Sequence, residues 1–271
     1  MNWCLTALLN FVNKIIVRNT NSNQALLLIT SSVNISAQFT VLVNAGEREK
    51  QYIDSLLFFI TKSEFTKIVV CDNSGYRYPA NIYDSSLANN KQLELLSFSG
   101  NNLLVSTYGK GYGEGEIIEY AVKHSELLKG IQGFFKVTGR LKVSNVNNII
   151  NSVDLKKNYF MPMSLRPMFL RPAIIKDSFD TRFYYTTKWL YEKYLRQVYQ
   201  QSDDSKGMYL EKVYYNSITS AGVKTAWFRP IPVIEGISGS TGKAYYIVPP
   251  VKRRFINMLL FIKNILTPSR A

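Results

Sequence analysis

The chain has 271 residues, of which 46% are hydrophobic, and no long polar tract interrupts them, so it can bury a sizeable core and is not an intrinsically disordered protein. Its formal net charge of +14 calls for an anionic partner, and nucleic acid, anionic lipid and the diphosphate of a sugar nucleotide satisfy it equally well. The two cysteines, Cys4 and Cys71, lie far apart. That spacing argues against a disulfide framework or a zinc site and suits a reducing cytoplasm.

In chain order, Met1 to Val17 is moderately apolar but lacks the basic start, apolar core and small-residue cleavage site of a signal peptide. No stretch reaches the roughly 18 apolar residues that would cross a bilayer. Ala25 to Thr30 is a short apolar run closed by Ser31-Ser32, the pattern of a buried strand. Glu47 to Lys62 places Tyr52, Ile53, Leu56, Leu57 and Ile60 at helical spacing. Lys67 to Cys71 and Leu93 to Phe98 read as two further buried strands, stopped by Asp72-Asn73-Ser74-Gly75 and by Ser99-Gly100-Asn101-Asn102. A helix over about Gly113 to Leu128 follows, then a fourth strand, Gly133 to Val137. Apolar strands alternating with helices imply an α/β domain with a mostly parallel sheet covered on both faces, and ligands of such sheets bind beyond the carboxyl ends of the strands.

The second half is less regular. Met161-Pro162-Met163 and Arg166-Pro167 to Arg171-Pro172 break helices. Phe179 to Tyr185 is strand-like, Lys188 to Gln200 helical, and a further helix beginning near Lys206 carries Glu211. Another strand is expected around Thr225 to Phe228, and Gly236 to Lys243 reads as a flexible loop. Lys252-Arg253-Arg254 precedes the apolar run Phe255 to Ile262. That run is too short to span a bilayer; it suits an anionic membrane surface or a terminal helix packed on the core.

The segment GKGYGEGEIIEYA sets a glycine-rich turn before a helix. Amides exposed there suit phosphate, with Lys110 adding a point charge beside Gly111; the other reading is a tight turn and nothing more. From Gly109 to Asn145 the order of elements resembles the donor-binding half of GT-A glycosyltransferases. In that family the fourth strand ends in a DxD motif that holds a divalent metal, Mg or Mn. The corresponding residues are Thr138-Gly139-Arg140, with no carboxylate. A guanidinium donates bidentate hydrogen bonds to phosphate, so Arg140 is expected to replace the metal; the alternative is an ion pair with Glu114 or Glu116.

NAGEREKQYIDSLLFFI, KIVVCDNSG, FFKVTGRLKVSN, FDTRFYY and GISGSTG extend the likeness over about Leu26 to Gly242. Together they resemble bacterial glycosyltransferases of lipopolysaccharide O-antigen and capsule synthesis. The resemblance implies a GT-A-like domain over 1–250, with a donor half over about 25–145 and an acceptor half over about 146–250, followed by a basic amphipathic tail over 251–271. It implies a UDP-sugar donor, galactose as first guess, a lipid-linked or oligosaccharide acceptor, and a place at the inner face of the plasma membrane.

Within that reading Asp72, Asn73 and Ser74 recognise base or ribose, or else form an Asx turn that closes the strand. Arg48, beside Glu47 at the helix start, is a donor-site candidate, although a helix-starting Glu is also an ordinary dipole partner. Candidate catalytic carboxylates are Asp180, beside Arg182 in an aromatic strand, and Glu211 among Tyr209, Val213 and Tyr214, with Asp203 and Asp204 behind. The plain alternatives are an Asp180–Arg182 surface pair and an exposed helix position for Glu211. Ser240, Thr241 and Lys243 sit in a loop able to fold over a diphosphate, or in a simple connection. His124, the one histidine, reads as a surface residue, which leaves no basis for a histidine triad.

The readings from other classes are a single-stranded nucleic-acid-binding module, another nucleotide-dependent transferase such as a methyltransferase, and a membrane scaffold. Eighteen tyrosines and the basic charge would serve the first, but the lysines spread instead of forming a stripe. The second wants its glycine-rich turn after the first strand, and the third leaves the polar strand exits unexplained.

Overall fold

The computed structural model describes residues 24–34, 45–162, 177–238 and 242–245. Its centre is a six-stranded sheet formed by β1 (Leu26–Ser31), β2 (Lys67–Asp72), β3 (Gln92–Ser97), β4 (Gly133–Thr138), β6 (Tyr159–Pro162) and β7 (Phe179–Thr187), in the order β3-β2-β1-β4-β7-β6. β1 pairs in parallel with β2 and β4, and β2 with β3; β7 runs antiparallel to β4 and β6. The expected α/β fold with a mostly parallel sheet is therefore present. Strands from both sides of position 145 share it.

β1 is buried at every position because both of its faces are covered. Leu27 and Ile29 pack with Leu56, Phe59 and Ile60 of α1 (Ala45–Lys62). Leu26 and Leu28 point the other way, to Ile117, Ile118 and Ala121 of α4 (Lys110–His124) and Tyr214 of α7 (Leu210–Ser220). Period-two alternation thus fills two layers from one uninterrupted apolar run.

Several short elements escape the sequence reading: α2 (Asn81–Ala88), α3 (Asn102–Tyr108), β5 (Lys142–Val143), α5 (Val146–Ile150), β6 and β8 (Ile234–Glu235), which pairs with β5. The helix expected from Lys188 is α6 (Lys188–Leu190) continued by a π turn, Tyr191–Leu195, and a 3-10 turn, Val198–Gln201. The wider turn keeps Tyr191, Leu195 and Tyr199, each four residues on, against the core. The strand expected at Thr225 to Phe228 is a single bridge between Ala226 and Tyr159, because Phe228 turns inward and is buried. Among the described residues no helix is long and apolar enough to cross a membrane. The basic tail, Ser240 and Thr241 lie outside the described residues.

Candidate functional site

The chain builds outward from β1 to β3 and then returns to place β4 on the other side of β1, so the connections diverge between β1 and β4. Ligands of open α/β sheets bind in the crevice at such a point. A cleft of about 720 Å³ opens there, over the carboxyl ends where Thr30 and Thr138 are register partners. Of the residues expected from the sequence, Arg48, Asn73, Ser74, Lys110, Gly111, Thr138, Arg140 and Glu211 line it.

Besides Arg182 of β7, three further cations face this cleft from different elements: Arg48 on α1, Lys110 at the start of α4, and Arg140 just after β4. Burial lowers the pKa of the Lys110 ammonium, and the nearby charges of Arg140 and Arg48 lower it further, against the opposing pull of Asp204. Burial and Arg140 act in the same direction on Arg48. The three charges therefore repel one another across one concave surface, the electrostatics of an anion site.

Arg48 spends part of its fork on the protein, donating from Nε to the Val33 carbonyl at 3.2 Å and from Nη2 to the Ser32 carbonyl. Arg140 is less committed. Its Nη1 makes long bonds to Gln51 Oε1 (3.3 Å) and the Ile237 carbonyl (3.4 Å), and its buried Nε has no hydrogen-bond partner among the described residues. The alternative pairing of Arg140 with Glu114 or Glu116 is not what the fold makes. Glu114 instead binds Lys136, and Glu116 accepts the Asn101 N–H at 3.0 Å.

The floor of the cleft is a buried polar network that the sequence reading did not place. Lys136, in the middle of β4, is fully buried and donates to Glu114 Oε1, Thr138 Oγ1 (3.1 Å) and the Thr181 carbonyl (2.8 Å). Glu114 Oε1 also accepts the hydroxyls of Thr138 (3.0 Å) and Thr30 (3.3 Å). Across Thr181, whose hydroxyl donates to Glu211 Oε1 at 3.1 Å, stands the second carboxylate. Burial holds the Glu211 carboxyl above the usual glutamate range, and the charge of Glu114 pushes the same way; the Glu211 backbone N–H, Thr181 and Lys136 oppose it. The signal for this network was a lysine at the centre of an otherwise apolar strand, GFFKVT, which demands a buried counter-charge.

Other expected residues stand elsewhere. Asp72 is fully buried behind the cleft, where Oδ2 accepts from Ser31 Oγ (2.7 Å) and the Val33 N–H (3.1 Å). Oδ1 accepts from the N–H (2.7 Å) and hydroxyl (2.6 Å) of Ser74, so Asp72 closes an Asx turn and ties together the exits of β1 and β2. Asp180 turns away from the cleft into a bidentate pair with Arg182, at 2.8 and 2.6 Å, and it is Arg182 that reaches the lining. The pair expected at the surface is thus partly buried, and both Asp180 oxygens are occupied. Lys243 is exposed and does not line the cleft. His124 is exposed and lies against Tyr120, with ring centroids 4.2 Å apart and the rings tilted by 32°.

The glycine-rich segment also differs from expectation. Gly109 alone makes the turn, at φ 98°, and the Lys110 N–H is capped by Asp204 Oδ2 at 2.9 Å instead of facing outward. Gly111, Gly113 and Gly115 lie inside α4 and let neighbouring chain approach: a Cβ on Gly115 would fall 2.0 Å from Tyr199 Cβ. After β4, Gly139 fills the middle of the DxD-equivalent triplet because a Cβ there would meet the Thr30 carbonyl at 2.4 Å. Among the described residues no three His, Cys, Asp or Glu side chains gather as metal ligands. A guanidinium at the third triplet position would repel a divalent cation, so the residues present do not fit the metal that the DxD pattern implies.

No family model and no curated protein matches the sequence. Among solved structures, the chain is similar to a protein described as a nucleotide-diphospho-sugar transferase from Desulfovibrio desulfuricans, at 10% identity and TM-score 0.42 over 76% of this chain and 79% of that one. It is similar to core-mannan synthase A of Aspergillus fumigatus, solved in a Mn/GDP form, at 11% identity and TM-score 0.44 over 86% and 82%. Glycosyltransferase GlyE of Streptococcus pneumoniae aligns at 12% identity and TM-score 0.44 over 92% and 66%. Likenesses this distant fix no activity for the chain.

Proposed function

We propose that the chain is a glycosyltransferase that moves a sugar from a nucleotide-sugar donor to a saccharide acceptor, with Arg140 in place of a metal ion. The observation that carries this reading is the convergence of Arg48, Lys110 and Arg140 on one cleft at the switch point of the sheet. A diphosphate offsets those positive charges and can accept hydrogen bonds from the Arg140 guanidinium that lines the cleft. Asn73 and Ser74, at the same rim, serve the nucleoside. Glu211 is the base. Its carboxylate takes the proton of the acceptor hydroxyl as that oxygen bonds to the anomeric carbon, while the bond to the departing diphosphate breaks and the cations compensate the charge that develops there.

UDP-galactose is the first donor to test. A lipid-linked or oligosaccharide acceptor of bacterial surface-polysaccharide synthesis, met at the cytoplasmic face of the membrane, is the setting the sequence resemblance supports. The test is hydrolysis of UDP-, GDP- and CMP-sugars without acceptor, with and without EDTA. One of these donors is expected to turn over undiminished by EDTA, and Arg140→Ala is expected to lose at least a hundredfold in rate while keeping its fold. No binding or turnover of any donor would overturn the reading; strict metal dependence would overturn the role of Arg140.

A further inference from the structure

Tyr52 lies on α1 with only 5% of its surface exposed, yet its ring lines the cleft. Two guanidinium groups stand over that one ring, with Arg48 Cζ 5.7 Å and Arg140 Cζ 5.9 Å from its centroid. Both distances lie within the reach of a cation–π contact. The phenol oxygen accepts the Ser32 N–H at 3.2 Å, and Ser32 is the residue whose carbonyl Arg48 holds. On the β4 side the ring edge packs on Gly139, where an added Cβ would meet Tyr52 Cε1 at 2.8 Å. One side chain therefore touches the exits of β1 and β4 and both arginines.

The charge of Arg140 disfavours that of Arg48, which Asp72 favours from behind the cleft, and among the described residues neither arginine makes an ion pair with a carboxylate. The negative face of an aromatic ring is an uncharged way to offset that repulsion without competing with an incoming phosphate for hydrogen bonds. We infer that Tyr52 is a positioning residue that holds Arg48 and Arg140 as a preassembled two-arginine clamp for a diphosphate. The inference rests on the anion site of the proposed function and goes further, because it assigns the affinity of that site to a residue that need make no hydrogen bond to the ligand. The ring matters and the hydroxyl is secondary, since its bond is to the backbone.

The test is calorimetric titration of the full chain with inorganic pyrophosphate, UDP and uridine, for wild type, Tyr52→Phe and Tyr52→Leu, alongside thermal melts. Tyr52→Phe is expected to stay within about twofold of wild type, and Tyr52→Leu to lose roughly tenfold in pyrophosphate and UDP affinity with uridine unchanged. In turnover the loss appears in kcat/KM, because the clamp serves both the bound donor and the departing diphosphate. Should Tyr52→Leu fail to melt cooperatively, Tyr52→Met fills similar volume without an aromatic face and gives the same readout. Unchanged diphosphate affinity in the ring-less variant, or equal loss for UDP and uridine, would overturn the clamp and leave the anion site standing. A wild type that binds neither pyrophosphate nor UDP, GDP or CMP would overturn the anion site itself, and the clamp with it.

Discussion

Glu211 and Lys136 share a buried network but respond oppositely to substitution. The folded-state pKa of Glu211 is raised by burial above that of the unfolded chain, about 4.3. Between those two values the folded protein holds a proton that the unfolded chain has lost, so stability falls as pH rises through that window. Glu211→Gln removes the penalty. It is expected to melt higher than wild type at pH 7, to match it below about pH 4, and to lose turnover; equal melting at pH 7 would show that Glu211 carries no strain. If Glu211 is the base, the acid limb of the wild-type rate profile has its midpoint above the ordinary glutamate range. Lys136→Ala strands Glu114 without its cation and is expected to cost about 3 kcal/mol in urea unfolding, of which adding Glu114→Gln recovers part. Residue types were legible here, and Glu211 was singled out from its tyrosine neighbours. Pairing was not: the sequence places Glu114 beside Arg140 as readily as beside Lys136, and only strand direction and helix phase choose between them.

At the scale of elements, β1, β2 and β4 were legible because strands buried on both faces read as continuous apolar runs. α3 was not, because none of its seven residues is fully buried and Leu104, Val105 and Tyr108, which pack partly against the core, are too few to show a helical period. α4 was found but begins three residues earlier than expected, since its glycines pack instead of turning. That gives a test by packing: Gly115→Ala drives a methyl against Tyr199 and is expected to cost about 1–3 kcal/mol in urea unfolding. An unchanged midpoint would mean that α4 and the Val198–Gln201 turn separate freely.

For the whole molecule, the net charge of +14 suits an anionic cleft ligand and an anionic surface alike. Removing residues 251–271 is expected to abolish sedimentation with vesicles rich in phosphatidylserine while leaving donor hydrolysis intact; retention on the vesicles would assign membrane contact elsewhere. The sequence by itself determined the fold class and the polar strand exits that the cleft opens over. Each is set by local pattern, in apolar periodicity or residue order along one strand. Only the tertiary structure decided that Asp72 is an internal brace, that Asp180 is spent on Arg182, that Lys136 and Glu114 floor the cleft, and that Tyr52 lies under two arginines. Those outcomes range from a pair two residues apart, Asp180 and Arg182, through Glu114 and Lys136, 22 apart, to Ser31 and Asp72, 41 apart, and each was settled by register and packing.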